Sequence, residues 1–404
     1  MARPSGNTRL KSARLAAGYH SQQALADVLG VGVRQVRRWE SEQPPMPQPE
    51  VARELTRLLG QELEALGFTQ PQGAPAHHGR RTVLAAAVGL AAVPTQAVAL
   101  QPATTAADFE AVTRSHRRLY WSVAPATLHP ATIAHTTLGC ALLAETAGQT
   151  RQRIAAALAE SYLLAGRIEF FDMREAERAQ QTLLRALQAA GEADDALMGS
   201  AVLAHMAFVP AWVGDREAAI ERMVAARTYA RRGLPSAELL SWLDAVEAEC
   251  ETRCGNTRTA LHLLRRAEDV LANGGEHETP EWLDWFTPAR LAAFKGNTEL
   301  RAGHLPQART TLLRALEALG PEEKQRTVVL GDLAAVEAAA GHPEAACQYA
   351  LQALDQLERT WYATGMDRVR EVRRALAPHQ QEQCVRELDD RLYSWSTTVS
   401  ALAR

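Results

Sequence analysis

With 404 residues the chain exceeds what one ordinary hydrophobic core organises, so it divides into two or more domains. Charged residues at 23% and apolar residues at 47% are ordinary for a soluble globular protein. A net charge of −3 excludes a chain that is basic throughout, so any nucleic-acid footprint has to be local. Aromatics are only 5% and alanine is abundant, a composition that leans all-α, because alanine is the best helix former and a poor strand organiser. The five cysteines, Cys140, Cys250, Cys254, Cys347 and Cys384, are odd in number and widely spaced. They fit reduced thiols in a cytosolic protein rather than a disulfide frame. Cys250 and Cys254 lie one helical turn apart, but with no second pair or close histidine they are expected to be small core residues and not metal ligands.

Residues 1–60 carry nine Lys/Arg against five acids, a local +4 in a chain that is −3 overall. That asymmetry is the footprint of a phosphate-binding module. The segment "TRLKSARLAAG" predicts a first helix ending at Gly18, and "SQQALADVLG" a second, with Ser21 as N-cap and Gly30 as its stop. "VGVRQVRRWES" predicts a third, with Val36 and Trp39 facing inward. Two short helices around a tight glycine turn, the second rich in exposed Arg and Gln, have the layout of a helix-turn-helix.

In order, Leu10, Arg14, Gly18, Ser21-Gln22, Leu25-Ala26, Leu29-Gly30, Val36 and Trp39-Glu40 resemble the Cro/C1-type helix-turn-helix of phage-repressor-like (XRE-family) regulators. Two departures are an extra residue at Tyr19-His20 and Gly32 where that family usually places a Ser or Thr cap. The resemblance implies that Val33, Arg34 and Gln35 point into the major groove, with Arg38 reaching the same floor one turn later. Arg34 or Arg38 would bind guanine in bidentate fashion and Val33 would touch a thymine methyl. Gln22, Arg14 and Arg37 would meet phosphates.

Pro44, Pro45, Pro47 and Pro49 break the chain. Val51, Leu55, Leu58 and Leu59 then recur at helical spacing and close the small domain, expected over 1–67. "FTQPQGAPAHHG" (68–79) is Pro/Gly-rich and predicts a linker. Gly79 to Leu100 places Arg80-Arg81 ahead of an uncharged, alanine-rich run ending in Ala97-Val98-Ala99, and so resembles a twin-arginine export signal. Pro94, Thr95 and Gln96 interrupt it, and Ala and Gly insert weakly into a bilayer. The expectation is neither export nor spanning, but a cytosolic alanine-rich helix within a connecting segment, 68–104.

From about 105 to 404 the chain predicts successive amphipathic helices. Gly214, Gly255, Gly303 and Gly341 are each followed after five residues by Ala219, Ala260, Ala308 and Ala346, and after seven more by Ala226, Ala267, Ala315 and Ala353. Glycine supplies the left-handed turn between antiparallel helices, and the paired alanines keep one face of the following helix small. This pattern resembles the second half of the tetratricopeptide repeat (TPR), with divergent repeats spaced 41, 48 and 38 residues apart. Gly166 with Ala179 and Ala186 looks like a fifth copy, expanded by about eight residues. Residues 360–398 are expected to cap the array. The fold class is therefore all-α, a helix-turn-helix domain followed by a TPR-like α-solenoid.

A solenoid of this kind has a concave side that binds an extended segment. Trp242, Trp282, Trp285 and Phe286 are its candidate ligand-binding aromatics, with Trp361-Tyr362 a further cluster. Asn256 and Asn297 each follow a glycine and read as turn residues rather than peptide clamps. Catalytic motifs are missing: there is no H-E-x-x-H, no G-x-x-x-x-G-K-[ST], no G-x-G-x-x-G after a strand and no G-x-S-x-G. The sequence thus describes a non-enzymatic cytoplasmic transcriptional regulator with no cofactor and no membrane. It is expected to bind a double-stranded DNA operator as a homodimer. An oligopeptide in the solenoid is the ligand that resemblance to peptide-sensing regulators of this layout, actinobacterial in type, implies. The rival is a TPR adaptor that docks a protein partner.

Overall fold

A computed structural model describes residues 7–41, 44–61, 63, 65–68, 101, 102, 104–320 and 324–402. The twin-arginine segment and most of the connecting segment lie outside the described residues. The described residues contain helices and turns and no strand. Among them no helix is long and apolar enough to cross a membrane. The chain separates into two compact units, Met1–Val93 and Pro94–Arg404.

In the first unit α1 spans Thr8–Ala16, α2 Gln22–Val28, α3 Val33–Trp39 and α4 Pro49–Leu59. Local chemistry sets the ends. Asn7 caps α1, accepting from the Leu10 amide at 3.3 Å, and Ser21 caps α2, accepting from Ala24 at 3.0 Å. Gly18 and Gly30 adopt φ of +86° and +65°, the left-handed exits that a Cβ disfavours. Gly32 opens α3 with no side-chain cap. Leu10, Leu25, Val36, Trp39 and Leu55 form the core. Phe68 sets its ring edge-on to Trp39 at 6.4 Å and is buried. It therefore belongs to this core rather than to the linker that the Pro/Gly-rich composition suggested at 68.

Among the described residues the second unit contains fourteen α-helices. They are α5 Thr104–Leu119, α6 Pro125–Ala144, α7 Gly148–Arg167, α8 Ala176–Glu192, α9 Ala196–Trp212, α10 Arg216–Ala230 and α11 Ala237–Arg253. There follow α12 Thr257–Asn273, α13 Pro288–Arg301, α14 Leu305–Ala318, α15 Gln325–Ala339, α16 Pro343–Arg359, α17 Ala363–Ala375 and α18 Gln383–Leu402. From α7 to α16 they pack as five consecutive helix pairs, an all-α array of repeats.

The glycine–alanine register maps onto this array. Gly214, Gly255, Gly303 and Gly341 stand between the two helices of their pairs with φ of +81°, +84°, +78° and +81°. All eight register alanines are at most 1% exposed, so neighbouring helices approach to the width of a methyl group. The fifth copy departs from the pattern. Gly166 is no turn residue; it lies inside α7, where an added Cβ would come within 2.8 Å of Leu183. The turn is instead a π-helical stretch, Ile168–Asp172, followed by Arg174 at φ +63°. Arg174 stands five residues before Ala179 and so occupies the place that glycine holds elsewhere.

That π turn also joins distant parts of the unit. Buried Asp172 accepts from Lys324 Nζ at 2.8 Å and from the Tyr120 hydroxyl at 3.1 Å. The carbonyls of Phe171 and Asp172 accept from Thr364 Oγ1 at 3.2 Å and Trp361 Nε1 at 3.3 Å. Arg174 pairs with Asp367. The first helix pair of the array is thereby tied to the start of its last pair and to α17.

Candidate functional site

α3 has a buried and an exposed side, set by its periodicity. Val36 and Trp39 are at most 1% exposed, and Val33 packs partly against the same core. Arg34, Gln35, Arg37 and Arg38 project outward. Among the described residues none of these three arginines forms an ion pair, so their guanidinium donors stay available. Arg14 sits differently. It lies on the apolar face of α1 with Leu10 and Ala13 and is 4% exposed. Its Nε donates to Glu40 Oε1 at 2.7 Å and its NH1 to the Tyr19 carbonyl at 2.7 Å. Gln22 donates to the other oxygen of Glu40 at 2.6 Å. One buried carboxylate thus ties α1, α2 and the end of α3 together. The phosphate role drawn for Arg14 from family resemblance gives way to an internal one, because its donors point inward. The available signal was a single arginine in an apolar i, i+3, i+4 stripe.

Residues 10–66 match the helix-turn-helix family model. Residues 10–66 are a Cro/C1-type helix-turn-helix. No curated protein matches the chain. Such a domain binds DNA, and α3 with its outward arginines is the element that stands where the recognition helix of the motif stands.

In the second unit one cavity is lined largely by aromatic and arginine side chains, and its empty space of about 800 Å³ includes space open to solvent. Trp242 and Trp285 line it. Trp282 and Phe286 do not; the Trp282 carbonyl accepts from Trp285 Nε1 at 3.0 Å and fixes that indole, and Phe286 is buried in the core. Asn297 is no turn residue, since it lies inside α13 and donates to Asp332 at 3.0 Å on the cavity wall. Asn256 sits at the start of α12, as a turn residue does.

Four arginines line the cavity, Arg167, Arg253, Arg290 and Arg368, against two carboxylates, Glu249 and Asp332. Arg253 pairs with Glu249 at 3.0 Å and lies 3.4 Å from the Trp212 ring centre. Arg368 approaches Asp332 to 3.1 Å. Arg290 stands 4.1 Å over Trp121 and reaches Gln325 at 3.5 Å. Arg167 lies among the rings of Trp285, Tyr120 and Trp121, at 4.7, 4.9 and 5.7 Å. Desolvation, reinforced by the Arg167 charge, pushes His205 down to about 3, so its imidazole is neutral at physiological pH. None of the arginines nor the Tyr120-Trp121 pair stood out in the sequence. They come from α7, α11, α13 and α17 and from the end of α5, and only packing of the array brings them together. Among the described residues no three His, Cys, Asp or Glu side chains gather as a metal site.

Proposed function

We propose that the chain is a ligand-responsive transcriptional regulator of the cytoplasm. Its helix-turn-helix binds a specific operator as a homodimer, and its helical body, over about 105–404, senses a small ligand through the cavity. Val33, Arg34, Gln35 and Arg38 form the base-reading set, with Arg37 and Gln22 at phosphates; Arg14 belongs to the internal Arg14–Glu40 pair. The observation that carries this reading is the outward row of arginines on a helix held by Val36 and Trp39. The glycine–alanine register supports a TPR-like origin for the body.

The test begins with recovery of genomic fragments by full-length protein at near-physiological salt, followed by sequencing. Enrichment of one short inverted repeat is the expected result. Arg34→Ala and Arg38→Ala should each weaken binding to that site by about 1–3 kcal/mol and alter base preference, with the melting of the helical body unchanged. Uniform recovery that disappears with modest added salt would reduce DNA binding to general phosphate attraction and favour the adaptor reading.

A further inference from the structure

The cavity arginines differ in what neutralises them. Arg253 and Arg368 face Glu249 and Asp332. Arg167 has no hydrogen bond and no carboxylate within ion-pair distance among the described residues, and its Nε is buried without a partner. What holds it is aromatic: Trp285, Tyr120 and Trp121 surround the guanidinium. Ring faces stabilise the cation, but they leave the in-plane N–H donors unfilled. A guanidinium with open donors on the wall of a cavity lined largely by aromatic rings is an anion site, because a carboxylate supplies both the missing charge and the missing acceptors.

Three further features narrow the occupant. Arg167 brings to the lining a positive charge that no ion pair among the described residues neutralises. Trp121, Trp242 and Trp285 add flat apolar walls. Phe171 of the first helix pair and Thr364 beyond the last both line the cavity and are hydrogen-bonded at 3.2 Å, which bounds it on that side and favours a compact occupant over a long extended segment.

We propose that the cavity takes a small carboxylate with a flat aromatic or fused-ring body, its carboxylate bound in plane by Arg167 and its body against the aromatic lining. This rests on the reading of the helical body as a sensor and names the class of its ligand. Arg167 immediately precedes the π turn, so its occupancy acts at the element that clasps the array.

The experiment titrates full-length protein with 2-naphthoate and with 2-naphthamide, following tryptophan fluorescence and heat of binding. The two probes share shape and differ in charge. The acid should bind at least tenfold more tightly than the amide. Arg167→Gln should remove that preference while leaving the amide unchanged, and Arg167→Lys should keep part of it. Equal affinity of acid and amide for the wild-type protein, or no binding of either at millimolar concentration, overturns the proposal whatever the variants do. Gly-Gly-Trp with a free or an amidated carboxyl end forms the second arm. Tighter, Arg167-dependent binding of that peptide acid would overturn the small-molecule assignment. Operator binding is measured on the same preparations. Lost acid selectivity with intact operator binding defeats this proposal alone, and retained selectivity without specific DNA binding defeats the regulator reading alone.

Discussion

Replacing Lys324 by methionine tests the clasp that ties the π turn to the end of the array. Lys324 is 1% exposed and Asp172 0%, and they meet at 2.8 Å. At that separation and an effective dielectric of about 20, the attraction is roughly 6 kcal/mol, which desolvation of the two ions largely offsets. The net worth of the intact pair is therefore small, but breaking it is costly. Lys324→Met leaves Asp172 with the Tyr120 hydroxyl as its one remaining side-chain donor among the described residues, and should destabilise the helical body by about 3–5 kcal/mol. Asp172→Asn combined with Lys324→Met removes both charges and should recover most of that loss. The assay is urea unfolding of the four members of a double-mutant cycle. The pH dependence follows from the same geometry. Burial already pushes the Asp172 carboxyl up, opposed chiefly by Lys324, and without the lysine it rises further. A carboxyl with a raised folded pKa penalises the fold at neutral pH and ceases to do so as it protonates. The deficit of Lys324→Met should therefore shrink as the pH falls from 7 towards 4. A single variant within 1 kcal/mol of wild type, or losses that simply add in the double variant, would refute the clasp.

Two further outcomes follow from buried charge. Arg14→Met leaves Glu40, itself 7% exposed, without its cation and with Gln22 as its one side-chain donor among the described residues, so the first unit should lose about 3–5 kcal/mol on urea unfolding, while the helical body melts as before. Unchanged stability with weaker DNA binding and a salt slope about one unit smaller would restore Arg14 to the phosphate contacts. His205 is buried neutral, with its Nδ1–H donated to the Ala201 carbonyl at 2.8 Å. Its folded pKa lies below the unfolded one, so its contribution is complete above about pH 6.5 and is lost as the pH falls. Between pH 7 and 5 this amounts to about 2 kcal/mol, and His205→Gln should flatten the stability profile by that amount. A profile unaltered by the substitution would show that His205 protonates freely in the folded protein.

Much of the helix-turn-helix and of the repeat register was legible without coordinates because the signals are local. Ser21 reaches an amide three residues away, and Gly214, Gly255, Gly303 and Gly341 each relieve a left-handed turn at their own backbone. Alanines seven residues apart share one helix face, so Ala219 and Ala226 announce a close contact whatever the neighbour is. The aromatics of the cavity were half legible: Trp242 and Trp285 line it, whereas Trp282 and Phe286 support it.

What tertiary structure alone decided is which distant residues meet. No pattern around Arg14 reveals that its partner is Glu40, 26 residues on. None around Arg167 reveals that Tyr120, Trp121 and Trp285 will surround it. The separation of 152 positions between Asp172 and Lys324 is bridged by the summed small rotations of successive helix pairs. Composition and spacing determined that each pair would form and how closely it would pack. The angle between pairs depends on how side chains interdigitate at each interface, and that sum placed the arginines around one cavity.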